Sequence, residues 1–119
     1  MGATIKLGND PVLVNGIEAT GKMEDEDIGA QKSTDFVISI TNNSPTPIPN
    51  YRVYVSRIAG SVVLSSSNVL IPLLEPDETE ECRFQVRNPT NTVQTNYTFR
   101  VRSNYFGSIY HSYNNFHRP

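Results

Sequence analysis

The stretch Asn68–Arg87, NVLIPLLEPDETEECRFQVR, leaves few folds open to this chain. It joins an apolar run to a Pro-Asp turn crowded with carboxylates. The turn leads into a segment where Cys82, Phe84 and Val86 alternate with Arg83, Gln85 and Arg87. Successive side chains of a strand fall on opposite faces, so this period of two marks a strand with one face buried. An amphipathic helix would instead space its apolar residues by three and four.

The same alternation returns three times. Phe36, Ile38 and Ile40 oppose Val37, Ser39 and Thr41 in Thr34–Thr41; Tyr51, Val53 and Val55 oppose Arg52, Tyr54 and Ser56 in Tyr51–Ile58. In Thr95–Arg102, Tyr97, Phe99 and Val101 face inward and Thr98, Arg100 and Arg102 outward. Shorter strands are expected at Thr4–Leu7, Val12–Val14, Ile17–Ala19, Ser61–Leu64 and Phe106–Tyr113. Asn15-Gly16, between Val14 and Ile17, is a strong hairpin signal because both residues tolerate positive φ.

Gly21–Lys32 loses all periodicity around Glu24-Asp25-Glu26-Asp27 and is expected to be an exposed acidic loop. Asn42–Asn50, with three prolines, is expected to stay out of any central ladder. Seven to nine short strands separated by turns, with no sustained helical period, predict an all-β fold. The expected architecture is an immunoglobulin-like antiparallel β-sandwich, with an open barrel as the alternative. With 119 residues the chain makes one domain. Within it, residues 1–20 form N-terminal strands and an arm, 21–32 the acidic loop, 34–113 the sandwich and 114–119 a tail.

Several function classes are disfavoured at this level. A formal charge of −2 gives no electrostatic case for nucleic acid. No apolar run reaches the roughly 18–20 residues of a membrane span. The N-terminus lacks a basic segment followed by an apolar one, so no secretory signal is expected, and Lys6 stands where myristoylation needs Ser or Thr. One cysteine cannot close an internal disulfide, which suits assembly in a reducing cytoplasm.

Three segments together resemble the immunoglobulin-like domains of the bacterial cell-adhesion-related (CARDB-type) class. They are Phe36–Asn43 followed by Tyr51–Val55, the turn Leu74-Glu75-Pro76-Asp77-Glu78, and Tyr97-Thr98-Phe99-Arg100-Val101. Asp77 stands where that class has Gly. Tyr97 is also placed like a tyrosine corner, whose hydroxyl bonds a nearby backbone group. The resemblance covers residues 34–113 and implies a sandwich without catalytic residues, of the kind found in spacers, adhesins and virion proteins.

No cofactor, metal site or catalytic set is expected. Cys82 falls on the inward register of its strand and reads as a core residue rather than a nucleophile. His111 and His117 lack the further ligands a metal needs, and Glu24–Asp27 lacks the spacing of a calcium loop. Asn42-Asn43-Ser44 and Asn96-Tyr97-Thr98 match the glycosylation pattern but read as chance in an Asn-rich chain.

Two signals point to binding. Arg52 and Tyr54 on one strand, with Arg100 and Arg102 on another, would share the outer face of one sheet; arginine and tyrosine are enriched at interface hot spots. The C-terminal stretch Tyr105–Pro119 is rich in aromatics, with Tyr110, Tyr113 and Phe116 as contact candidates. The expected function is therefore a non-enzymatic binding protein, first a bacteriophage capsid decoration protein that stabilises a capsid or coats a tail. It would dock through the arm Gly2–Val14 and the loop Gly21–Lys32, with a homotrimer at a symmetry axis fitting that role. A carbohydrate-binding module stacking sugars on Tyr54, Tyr110 and Tyr113 is the second expectation, and a pilus-like or adhesin subunit the third.

Overall fold

The computed structural model of the protein describes residues 12–14, 16–104 and 109–114. These form nine strands: β1 (Val12–Val14), β2 (Ile17–Met23), β3 (Ser33–Asn42), β4 (Ile48–Ala59), β5 (Val63–Leu64), β6 (Asn68–Leu74), β7 (Thr79–Arg87), β8 (Asn96–Ser103) and β9 (Ile109–Asn114). They make two antiparallel sheets, one in the order β1-β2-β3-β7-β5 and the other β6-β4-β8-β9. The fold is a β-sandwich. Its order is immunoglobulin-like: β2, β3 and β7 stand where strands A, B and E stand, and β6, β4, β8 and β9 where C′, C, F and G stand.

The alternating segments meet between the sheets as their pattern requires. Cys82, Phe84 and Val86 are fully buried, as are Phe36, Ile38, Ile40, Tyr51, Val53, Phe99 and Val101. Phe36 from one sheet stacks on Phe99 from the other at 5.1 Å between centroids and meets the His111 ring at 4.8 Å. Tyr97 extends the row, 5.4 Å from Phe99 and 5.6 Å from Tyr113. Such offset and tilted pairs each add about 0.5–1.5 kcal/mol beyond area burial. Val37 departs from its pattern: it lies on the outward register yet is buried, with Lys22 and Arg83, both long side chains, as its register partners on the two neighbouring strands.

The turns explain the boundaries. The β1–β2 hairpin closes with Val14 opposite Ile17 and Gly16 at φ 80°, a conformation that costs glycine nothing. After a bulge between Arg57 and Ala59, Gly60 takes φ 101°. A Cβ there would lie 2.6 Å from Tyr97 Cβ and 2.7 Å from the Asn96 carbonyl. In the turn Glu75–Glu78, Pro76 precedes Asp77 at φ 66°, and Glu78 N–H donates to Glu75 O at 3.0 Å. Positive φ at the third position is what makes glycine usual there.

Three expected boundaries shift. The expected loop Gly21–Lys32 gives its first three residues to β2 and buries Ile28, which pairs with Gln94; beyond β2 the exposed residues are 24–27, 31 and 32. The proline-rich segment is shorter than expected, because β3 runs to Asn42 and β4 starts at Ile48. Pro49 is tolerated because β4 pairs there only with β6, its pairing with β8 beginning at Val53. Of Ser61–Leu64, only Val63–Leu64 pair, against β7. The expected strand Thr4–Leu7 lies outside the described residues.

The ends of β3 and β7 carry one motif twice. Asn42 and Asn88 are fully buried polar residues at opposite ends of the same antiparallel pair. Asn42 Nδ2 donates to Thr46 O (2.9 Å) and Leu74 O (3.0 Å), while its Oδ1 accepts from Ser44 N (2.9 Å) and Ser44 Oγ (2.7 Å). Asn88 Nδ2 donates to Thr92 O (2.7 Å), Ile28 O (2.9 Å) and Gly29 O (3.1 Å), and its Oδ1 accepts from Thr90 N (2.9 Å) and Oγ1 (2.7 Å). Each asparagine thus serves backbone groups of its own loop and of a distant one. The apparent glycosylation pattern at Asn42 is this lock, with its amide buried and in use. Asn88→Ala strips the donor from buried carbonyls and should cost about 1–3 kcal/mol. Urea unfolding monitored by circular dichroism checks it; a midpoint equal to that of the wild type would refute the role.

Candidate functional site

The four strands of the β6-β4-β8-β9 sheet contain no aspartate or glutamate, although the chain has twelve. They contain Arg52, Arg57, Arg100 and Arg102. The other sheet mixes charges, and there Arg83 bridges Glu24 (3.0 Å), Asp35 (3.2 Å) and Glu81 (3.5 Å). Its guanidinium pKa is raised first by the hydrogen bonds to Glu24 and Asp35. Charge is therefore separated by sheet.

Register assembles the site. Tyr54 lies opposite Arg102, and Ser56 opposite Arg100, on β4 and β8; Arg100 lies opposite Tyr110 on β9. On the other side of β4, Arg52 lies opposite Leu70 and Tyr54 opposite Asn68. Neighbouring strands are about 4.8 Å apart, so these side chains form one continuous outer surface. Arg102 holds its guanidinium carbon 4.7 Å above the centre of the Tyr54 ring. Arg52 Nη1 donates to the neutral Asn68 Oδ1. Arg100 Nε is buried without a hydrogen-bond partner among the described residues. Leu70 adds an exposed apolar side chain beside Arg52. Among the described residues, no ion pair joins any of these arginines to a carboxylate. Such a surface can accept carboxylates bidentately and bury ring faces against a partner.

Five of the seven expected contact residues are thus together: Arg52, Tyr54, Arg100, Arg102 and Tyr110. Tyr113 is not. It shares the inward register of Ile109 and His111, stacks on Tyr97, and donates to Asp27 Oδ1 at 2.7 Å. Tyr54, Tyr110 and Tyr113 therefore do not share one stacking platform. Phe116 and the arm Gly2–Pro11 lie outside the described residues.

Tyr97 is placed like a tyrosine corner but reaches further: its hydroxyl donates to the Glu26 carbonyl, across the sandwich end. With Glu24 N–H on Asp35 O (2.9 Å), Asp25 N–H on Thr34 Oγ1 (3.0 Å) and Tyr113 on Asp27, the acidic turn is pinned at four successive residues. Sequence reasoning missed this, and also the absence of acid from one whole sheet, which becomes visible only when the strands are sorted by sheet. Among the described residues no cluster of His, Cys, Asp and Glu could hold a metal ion, and no helix is long and apolar enough to cross a membrane.

No protein-family model and no curated protein matches this chain. Among solved structures, the crystal structure of a FixG-related protein from Vibrio parahaemolyticus is similar, with a TM-score of 0.53 at 10% identity, covering 84% of this chain and 96% of that one. At that identity the likeness is one of fold, an all-β neighbour.

Cys82 occupies the core, its thiol pushed from 9.0 up to about 12, first by burial and then by Glu80. Burial, followed by Tyr113, Glu26 and Asp27, raises the Tyr97 hydroxyl well above the usual phenol range. Both groups keep their protons in the folded chain at pH values where the unfolded chain ionises. Between pH 9.0 and 12 the unfolded state thus binds fewer protons, and stability falls as pH rises. Urea midpoints across that range should decline, and Cys82→Ala should flatten the slope. In the native protein near neutral pH, Cys82 should resist thiol reagents until urea unfolds the chain; fast modification of the folded protein would contradict its placement.

Proposed function

We propose that this protein is a non-enzymatic binding module that docks the outer face of its β6-β4-β8-β9 sheet on a protein surface bearing carboxylates. One observation carries the reading: a sheet without a single acidic residue presents arginines and tyrosines in register, in a chain whose net charge is negative. Arginine and tyrosine supply bidentate bonds and large contact area at low entropic cost, which is why they dominate interface hot spots.

The setting proposed for such a module is a virion surface, as a capsid decoration protein; its support is the resemblance to CARDB-type domains. There, an interface of about 800 Å² per partner, repeated over many capsomers, gives cohesion through multivalency. As a glycan-binding module, the alternative, the protein loses its three-ring platform, since Tyr113 faces inward and Arg102 lies over Tyr54.

A fluorescent poly-glutamate peptide tests the chemistry of the face. Binding should weaken at least about tenfold in R100E/R102E and with added salt, and be unchanged in R83E/R87E on the opposite sheet. Equal binding by R100E/R102E and wild type would reject the face. For the decoration role, capsid shells that carry the protein should lose resistance to heat when it is removed; unchanged resistance ends that reading.

A further inference from the structure

We propose that the arginine–tyrosine face takes as its partner the acidic turn 24–27 of a second copy of this chain, so that copies join head to tail. The inference rests on the docking reading above and names its occupant. Complementary charge is the first argument. Arg52, Arg100 and Arg102 stand on a sheet without carboxylates, and the carboxylates of the described residues lie on the other sheet and in the turns at the sandwich ends.

Preorganisation is the second argument. Residues 24–27 are all exposed, yet their backbone is tied down by Asp35, Thr34 and Tyr97. Glu24 is engaged by Arg83, and Asp27 by Tyr113. Asp25 and Glu26 are left pointing out, with no ion-pair partner among the described residues. With the backbone beneath this pair already held, less entropy is lost on binding, which is the condition under which a small charged contact gives useful affinity. The turn at 75–78 also exposes Glu75 and Asp77, but Pro76 separates them in the chain and the third carboxylate, Glu78, is spent on the Glu75 amide at 2.8 Å, so it offers no adjacent pair.

The contact joins two different surfaces, so a pair keeps one free face, on one copy, and one free turn, on the other. Such heterologous contacts close into rings or extend as filaments, according to the rotation between copies. With a net charge of only −2, long-range repulsion between copies is small.

Sedimentation velocity of the full chain, from micromolar to about 1 mM protein, tests this at low and high salt. The sedimentation coefficient of the wild type should rise with concentration at low salt, and the rise should vanish in about 0.5 M salt. R100E/R102E alone and D25K/E26K alone should remain monomeric, with circular dichroism confirming that both fold. An equimolar mixture of the two should regain association, because the unaltered acidic turn of the first variant meets the unaltered arginine face of the second, and the Glu-bearing face of the first meets the Lys-bearing turn of the second. A wild type that stays monomeric throughout overturns the head-to-tail contact and leaves the peptide-binding result to judge the docking face separately. Association that neither variant abolishes, or that the mixture fails to restore, overturns the pairing of this turn with this face.

Discussion

Phe36 lies between Phe99 and His111, and the sandwich depends on that inter-sheet contact. With a single cysteine the chain has no covalent link between its layers. Their union therefore rests on apolar burial and on an aromatic row running from His111 through Phe36, Phe99 and Tyr97 to Tyr113. Because β8 and β9 supply four of those five rings, the inner faces of these strands are committed to the core. Their outer faces, which carry Arg100, Arg102 and Tyr110, are set on a rigid support as a result.

The two asparagine locks do for the sandwich ends what the rings do for its middle. A buried loop carbonyl is costly unless it receives a hydrogen bond, and each lock meets that need with one side chain serving several backbone groups. Asn88 ties the β7 end to Ile28 and Gly29, which in turn positions the acidic turn. Tyr97 and Tyr113 fasten the same turn from the opposite sheet. The arginine–tyrosine face and the aromatic row of the core therefore share the strands β8 and β9, one on each side.

Legibility in the sequence varied with the physical origin of each feature. Cys82, Phe84 and Val86 announced their burial because a strand's period of two is local, and Asn15-Gly16 announced its hairpin because positive φ is a local demand. Arg52, Tyr54, Arg100 and Arg102 could be placed on a common face once β4 and β8 were taken as neighbours. Tyr113 escaped that reasoning because its facing depends on where β9 starts, and shifting a strand by one residue exchanges its faces. Ile28 escaped because a single buried residue in an aperiodic stretch has no pattern to betray it. The Asn-x-Ser/Thr-x-Thr motif stands at both Asn42 and Asn88, but at Asn42 it reads as a glycosylation pattern and at Asn88, followed by Pro89, as a turn, and neither reading shows the structural role.

By itself the sequence determined the four alternating strands, the inward residues of their apolar register and the hairpin, because alternation and turn chemistry are properties of neighbours along the chain. Tertiary structure alone decided which strands share a sheet. It thereby decided that one sheet carries no carboxylates and that the acidic turn is clamped by Tyr97 and Tyr113. Electrostatic segregation and long-range hydrogen bonds arise between residues far apart in the chain, so the local pattern of either partner cannot encode them.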